Sequence, residues 1–127
     1  MKKSTITTNN APAAIGSYSQ GIRAGELIFT SGQLGLDPQT GQPVEGSFSE
    51  EARQVLENLI GVIEAAGGSS DSVIKTTVYL VNLDNYQKLN RIYQNYFNPQ
   101  LPARSVVEVK ALPKDMNIEI EAIALLK

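Results

Sequence analysis

The chain has neither cysteine nor histidine among its 127 residues. Without cysteine there are no disulfides, no thiolate catalysis and no cysteine metal sites. Without histidine there are no imidazole ligands, no Ser–His or Cys–His nucleophile systems and no ordinary general base near neutral pH. Any catalysis rests on Glu, Asp, Lys, Tyr, Arg, Ser, Thr and backbone groups. Long apolar runs are also lacking, and none approaches the roughly 20 residues of a membrane span. The start, Met1-Lys-Lys-Ser-Thr-Ile-Thr-Thr-Asn-Asn, has two lysines but no apolar segment after them, unlike a secretory signal. Positive charge is sparse and scattered. The net charge is −2, and no basic run exceeds Lys2-Lys3. There is no electrostatic footprint for nucleic acid or an anionic membrane. These absences predict a cytoplasmic protein with no nucleic-acid or membrane partner.

What is present reads as one domain over residues 1–127, without repeats, low-complexity tracts or linkers. A chain of this length buries roughly two-thirds of its unfolded surface and needs no covalent staples. Residues 4–8 alternate weakly and predict a short edge strand. Gly21–Ala24 and Leu27–Gln33 predict a hairpin around Gly25. Ser47, with Glu50 three residues on, has the capping-box pattern of a helix start. Ala52, Val55, Leu56, Leu59, Ile60 and Ile63 keep helical spacing, and Gly67 or Gly68 stops the helix. Val73–Val81 is β-branched and predicts a strand. A second helix is predicted from about Asp84 to Phe97, with Tyr86, Leu89, Tyr93 and Phe97 on one stripe, and Asn98-Pro99 ending it. Two further strands close the chain. The order β-β-β-α-β-α-β-β is an α+β pattern, with one sheet and two helices on one of its faces.

Each closing strand carries a charge that strand composition disfavours. Arg104 opens the first, beside Val106, Val107 and Val109. Glu119 lies between Ile118 and Ile120 in the second. An arginine fork suits a small carboxylate because it offers two parallel N–H bonds. A carboxylate in an apolar wall can move protons. The alternative is that Glu119 and Glu121 form the wet face of a half-exposed strand. Beyond Glu121 this last strand is apolar on both sides, with Ile118, Ile120, Ala122 and Ala124 on one and Ile123 and Leu125 on the other. A strand apolar on both faces is normally covered on both. With helices for only one face, a copy of the chain is the simplest cover for the other.

Three segments in order resemble the RidA (YjgF) family of reactive intermediate deaminases. They are Ala11-Pro-Ala-Ala-Ile-Gly-Ser-Tyr-Ser-Gln-Gly, Thr30-Ser-Gly-Gln, and Pro102-Ala-Arg-Ser followed by Leu112-Pro-Lys-Asp and Ile118-Glu-Ile-Glu. The resemblance implies a chorismate-mutase-like α+β fold and a homotrimer closing around a central barrel-like interface, with a site at each subunit boundary. It also implies hydrolysis of 2-imino acids released by pyridoxal-phosphate enzymes, such as 2-iminobutanoate and 2-iminopropanoate, to 2-oxo acids and ammonia, without metal or cofactor. In that reading Arg104 clamps the substrate carboxylate and Glu119 handles water and protons. Gly32 lets its backbone approach the ligand, Ser31 lines the same wall and Tyr18 walls the pocket from a loop. Asn90, a polar residue on the apolar stripe of the second helix, comes to the pocket rim; its alternative is a hydrogen bond to nearby backbone.

One position departs from the pattern. Many family members have a cysteine two places after the signature arginine, where this chain has Val106. Only its backbone carbonyl can contribute, as an acceptor for the imine nitrogen, and thiol-dependent redox roles are put in doubt. Two other functions compete. One is a regulatory module that holds a 2-oxo acid without turning it over. The other is a ribonuclease or translation inhibitor, which the charge balance and missing histidine disfavour.

Overall fold

The computed structural model describes residues 2–127. Its strands are β1 (Lys3–Ile6), β2 (Gly21–Ala24), β3 (Leu27–Thr30), β4 (Val73–Leu80), β5 (Ala103–Glu108) and β6 (Ile118–Leu125). Its helices are α1 (Phe48–Ala65) and α2 (Tyr86–Tyr96), with single 3-10 turns at Ser70–Ser72, Leu83–Asn85 and Pro113–Asp115. The expected element order is observed. One mixed sheet runs β1-β2-β3-β6-β4-β5. Neighbours are antiparallel except β4 and β5, which are parallel and joined through α2. The strand last in sequence therefore lies inside the sheet, between β3 and β4.

Local chemistry explains the boundaries. The β2–β3 turn places Gly25 at φ 61°, the first central position of a two-residue hairpin loop, where glycine is favoured. Ser47 caps α1 by accepting a hydrogen bond from the Glu50 amide. The other half of the expected box is not made; Glu50 instead reaches Arg53 at 3.6 Å. The far end of α1 closes with the Gly67 and Gly68 amides donating to Glu64 and Ile63, and Gly67 at φ 97°. That is a glycine-terminated Schellman cap. Two expected elements are shorter than anticipated. β1 ends at Ile6 rather than at residue 8. The second helix begins at Tyr86, because the Asn82 side chain accepts from the Asp84 amide and holds a tighter turn first.

β3 also ends early, at Thr30 instead of Gln33, and the reason bears on function. Phe29 pairs with Ile123, yet Gln33 pairs with Ile120, so β3 spends one residue more than β6 across this stretch. The Thr30 hydroxyl accepts the Ala122 amide, and the Ser31 amide donates away from β6 to Gln20. This is a bulge, a device that re-aims backbone beside a site.

The core lies between α1, α2 and one sheet face. Val55, Leu56, Leu59, Val62 and Ile63 of α1 are fully buried, as are Ile28, Val78, Leu80, Ile118, Ile120 and Ala124 of the sheet. Among the described residues the opposite sheet face carries no helix. It presents Lys75, Thr77, Tyr79, Glu119, Glu121 and Ile123 part-buried, with Phe29, Val107 and Leu125 exposed. No helix among the described residues is long and apolar enough to cross a membrane.

Candidate active site

Arg104 lies on edge strand β5, opposite Thr76 of β4. Paired residues in neighbouring strands share a face, and Thr76 faces α2, where its hydroxyl meets the Tyr93 hydroxyl at 2.6 Å. Arg104 is therefore on the helix side. Its Nη2 donates to Asn90 Oδ1 at 2.8 Å and to the Tyr86 hydroxyl at 3.2 Å. Its guanidinium carbon stands 4.7 Å from the centre of the Tyr93 ring and 5.5 Å from that of Tyr86. Two aromatic faces and an amide thus fix the fork without neutralising it. Arg104 has no carboxylate within ion-pair distance among the described residues. Asn90, Tyr93, Gln94, Leu101, Pro102 and Arg104 line an open cavity of about 420 Å³. A fixed, unpaired guanidinium at its wall is suited to a small planar anion.

Glu119 lies on β6 opposite Tyr79 and on the open sheet face. Burial, then the neighbouring Glu121 carboxylate, pushes its carboxyl above the usual carboxylate range. Tyr79 is raised too, by burial first and next by Glu121. The Glu119 carboxylate fits against Gly32, where an added Cβ would run into it and lie 2.7 Å from its Cδ. Only glycine leaves that space. A second cavity of about 420 Å³ here has Tyr18, Ser31, Gly32, Pro113, Glu119 and Glu121 on its walls. Ser31 holds the wall from behind, its hydroxyl donating to the Ser19 carbonyl at 2.6 Å. The Tyr18 hydroxyl accepts the Ile15 amide at 3.2 Å, fixing the ring over the cavity. Beneath that loop the buried Gln20 amide nitrogen donates to the Thr8, Ala11 and Pro12 carbonyls.

The seven residues singled out in the sequence thus fall into two groups. Tyr18, Ser31, Gly32 and Glu119 share one cavity. Arg104 and Asn90 share the other, with Val106 two residues along β5 and half-buried opposite Val78. Within one chain the guanidinium and the carboxylate are not neighbours; β4 separates their strands and they lie on opposite sheet faces. Asn90 bonds the Arg104 side chain rather than nearby backbone. Sequence reasoning missed Tyr86 and Tyr93 as partners of Arg104, treating them as core stripe. Their spacing with Asn90 (i, i+4, i+7) was the available signal, since it sets all three on one helix face. Pro113 was missed as a wall of the carboxylate cavity. It opens a turn in which Lys114 and Asp115 take φ 58° and 54°, a conformation that costs non-glycine residues energy. Among the described residues no group of three or more His, Cys, Asp or Glu could hold a metal ion.

Similarity to known proteins follows this geometry. A putative endoribonuclease from Thermotoga maritima superposes with a TM-score of 0.96 at 45% identity, covering 100% of this chain and 99% of that one. Escherichia coli TdcF with bound serine does so with a TM-score of 0.92 at 42% identity, covering 96% of this chain and 98% of that one. The class is thus the small YjgF or chorismate-mutase-like α+β fold, with one mixed sheet and two helices. In sequence, the family model described as Endoribonuclease L-PSP matches residues 8–126. A RutC family protein of Pyrococcus horikoshii is 52% identical, over 96% of this chain and 97% of its own length. The 2-iminobutanoate/2-iminopropanoate deaminase of Rattus norvegicus is 48% identical, over 97% of this chain and 90% of its own length. The chain belongs to the RidA (YjgF) family.

Proposed function

We propose that this chain hydrolyses small 2-imino acids, 2-iminobutanoate and 2-iminopropanoate among them, to 2-oxo acids and ammonia. The substrates are reactive intermediates released by pyridoxal-phosphate enzymes. The observation that carries the reading is the pairing of an unneutralised, aromatic-caged Arg104 with a Glu119 whose carboxyl is raised by burial. Relatives named as imine deaminases and a relative with bound serine, itself a small carboxylate, support it.

Because the two groups lie on opposite sheet faces, one copy cannot apply both to one small substrate. They meet if the open face of one copy packs against the β5 edge of the next. A heterologous contact of this kind generates a ring when its rotation closes. We assign a homotrimer, whose sheet faces close around a central barrel-like interface with a site at each boundary. This also covers Phe29, Val107 and Leu125, the apolar residues that a lone copy exposes.

The chemistry then needs no covalent nucleophile. Arg104 clamps the carboxylate and sets the electrophilic iminium carbon near Glu119. The carboxylate takes a proton from water as its oxygen bonds that carbon, then returns the proton to the carbinolamine nitrogen. The C–N bond breaks as the remaining hydroxyl gives its proton to Glu119 and the carbonyl forms, and Glu119 passes that proton to the departing ammonia. One iminium and one water yield one 2-oxo acid and one ammonium, with Glu119 unchanged. The Val106 carbonyl is the acceptor assigned to the imine N–H. The name endoribonuclease fits the site less well, since the chain has no histidine and a net charge of −2.

The test generates imines in situ with an amino-acid oxidase and follows their capture by semicarbazide. Adding the protein should lower semicarbazone formation and speed ammonia release, most for imines with short apolar side chains. An unchanged rate with every imine, together with cleavage of RNA, would overturn the assignment.

A further inference from the structure

Glu51 has no part in the scheme above, yet it is an unusual residue. It lies one turn into α1 and is only 7% exposed. A buried carboxylate is costly unless well bonded, and Glu51 has no basic partner within ion-pair distance among the described residues. Its donors all come from one place. Oε2 accepts the Asn117 amide at 2.7 Å and the Ile118 amide at 3.2 Å, and Oε1 accepts the Asn117 side-chain amide at 2.9 Å. Charge-assisted bonds of this kind are the stronger ones.

Those amides sit at a junction. Behind them is the Pro113–Asp115 turn, with its two left-handed residues, and ahead is Glu119. Next to Leu34, a wall residue of the Glu119 cavity, the chain also leans on Glu51. Gly35 packs so closely that an added Cβ would lie 2.7 Å from Glu51 Cγ. One turn-pair further along α1, Asn58 donates to the Leu34 and Leu36 carbonyls at 2.9 Å each. The segment from Leu34 to Leu36 and the start of β6 are thus both pinned to α1.

We infer that Glu51 is a positioning residue for Glu119: its carboxylate fixes the entry of β6 and so holds the reacting carboxylate against Gly32. The inference rests on the imine-hydrolase reading for its kinetic consequence, but not for its structural one. Glu119 faces Glu121 on its own strand and Tyr79 on β4, and its carboxyl is raised by burial first and by Glu121 next. A loosened β6 entry admits water and lets that carboxyl fall towards its ordinary value.

The test is Glu51→Gln in the full-length protein. It keeps the shape but removes the negative charge, so the charge-assisted bonds from the Asn117 and Ile118 amides become weaker neutral ones. Turnover should drop by about 10- to 100-fold, the scale of a small misplacement of a reacting group, with KM little changed because Arg104 is untouched. In a Glu119→Gln background the same change should cost almost nothing. Carbon-13 NMR of the Glu119 carboxyl should show a lowered titration midpoint in folded Glu51→Gln. An unmoved midpoint, or an equal loss of turnover in the Glu119→Gln background, would overturn the inference. If Glu51→Gln does not fold, Asn117→Ala removes the side-chain donor alone and should lower the same midpoint by less; an unmoved midpoint there counts equally against it. If the parent hydrolyses no imine, the functional reading falls while the NMR midpoint still decides the role of Glu51.

Discussion

Glu119→Gln is expected to lose turnover of 2-iminobutanoate by roughly 10²–10⁴-fold, the range for removing a general acid–base group. It should retain, or improve, affinity for 2-oxobutanoate. Glutamine fills the same space against Gly32 but takes no proton, and it removes a negative charge from beside the bound carboxylate. Glu121→Gln should lose far less, because Glu121 is one pair further along β6, opposite Thr77, and away from Gly32. The pH dependence separates them. In the proposed scheme Glu119 is a base only when ionised, and its raised carboxyl should place the acid limb of turnover above the ordinary carboxylate range. That limb should vanish in Glu119→Gln. Stability moves the opposite way. A carboxyl raised in the folded state contributes most below its unfolded value, and that contribution is lost as pH rises through the folded one. Glu119→Gln should therefore be more stable than the parent at neutral pH, with the difference shrinking as pH falls. A live Glu119→Gln with a dead Glu121→Gln would reverse the assignment.

Arg104→Lys is expected to lower kcat/KM by roughly 10²-fold or more, since hydrogen bonds to charged groups contribute about 1.5–3 kcal/mol each. Lysine keeps the charge but loses the fork. It also leaves Asn90 and Tyr86 without the Nη2 donor that unites them, and Tyr93 without the guanidinium over its ring. Circular dichroism should be unchanged, because Arg104 is half-buried on an edge strand and the buried Tyr93 beneath it keeps its hydroxyl partner Thr76. Near-parent activity in the lysine variant would exclude a bidentate clamp.

Much of this was legible in the chain. Ser47 and Gly67 marked the ends of α1 because capping is local chemistry. The period of two in Ile118-Glu-Ile-Glu correctly put Glu119 and Glu121 on one side of β6 and the isoleucines on the other. What could not be read is what depends on partners far along the chain. The period assigns faces within a strand, but ladder register fixes which face of β5 matches which face of β6. Arg104 and Glu119 therefore each stood out as a strand charge, but their placement on opposite faces could not be read. The bulge at Ser31-Gly32 shows only in the pairing of Phe29 and Gln33 with β6. Glu51 has the sequence appearance of an acidic first-turn residue in water. It is buried because α1 crosses the start of β6, where Asn117, just before the strand, is 66 residues away.

The central claim is that Arg104 and Glu119 act on one substrate only from different copies of the chain. It is tested by mixing two inactive proteins, Arg104→Ala and Glu119→Gln, unfolding and refolding them together, and measuring imine hydrolysis. In a ring of randomly mixed subunits about a quarter of the boundaries regain both parent residues. The account predicts activity near that fraction of the parent's, none in either protein refolded alone, and a light-scattering mass of three chains. Mixed samples that stay as inactive as their components, or a mass of one chain near 13.7 kDa with full activity in the parent, would contradict it.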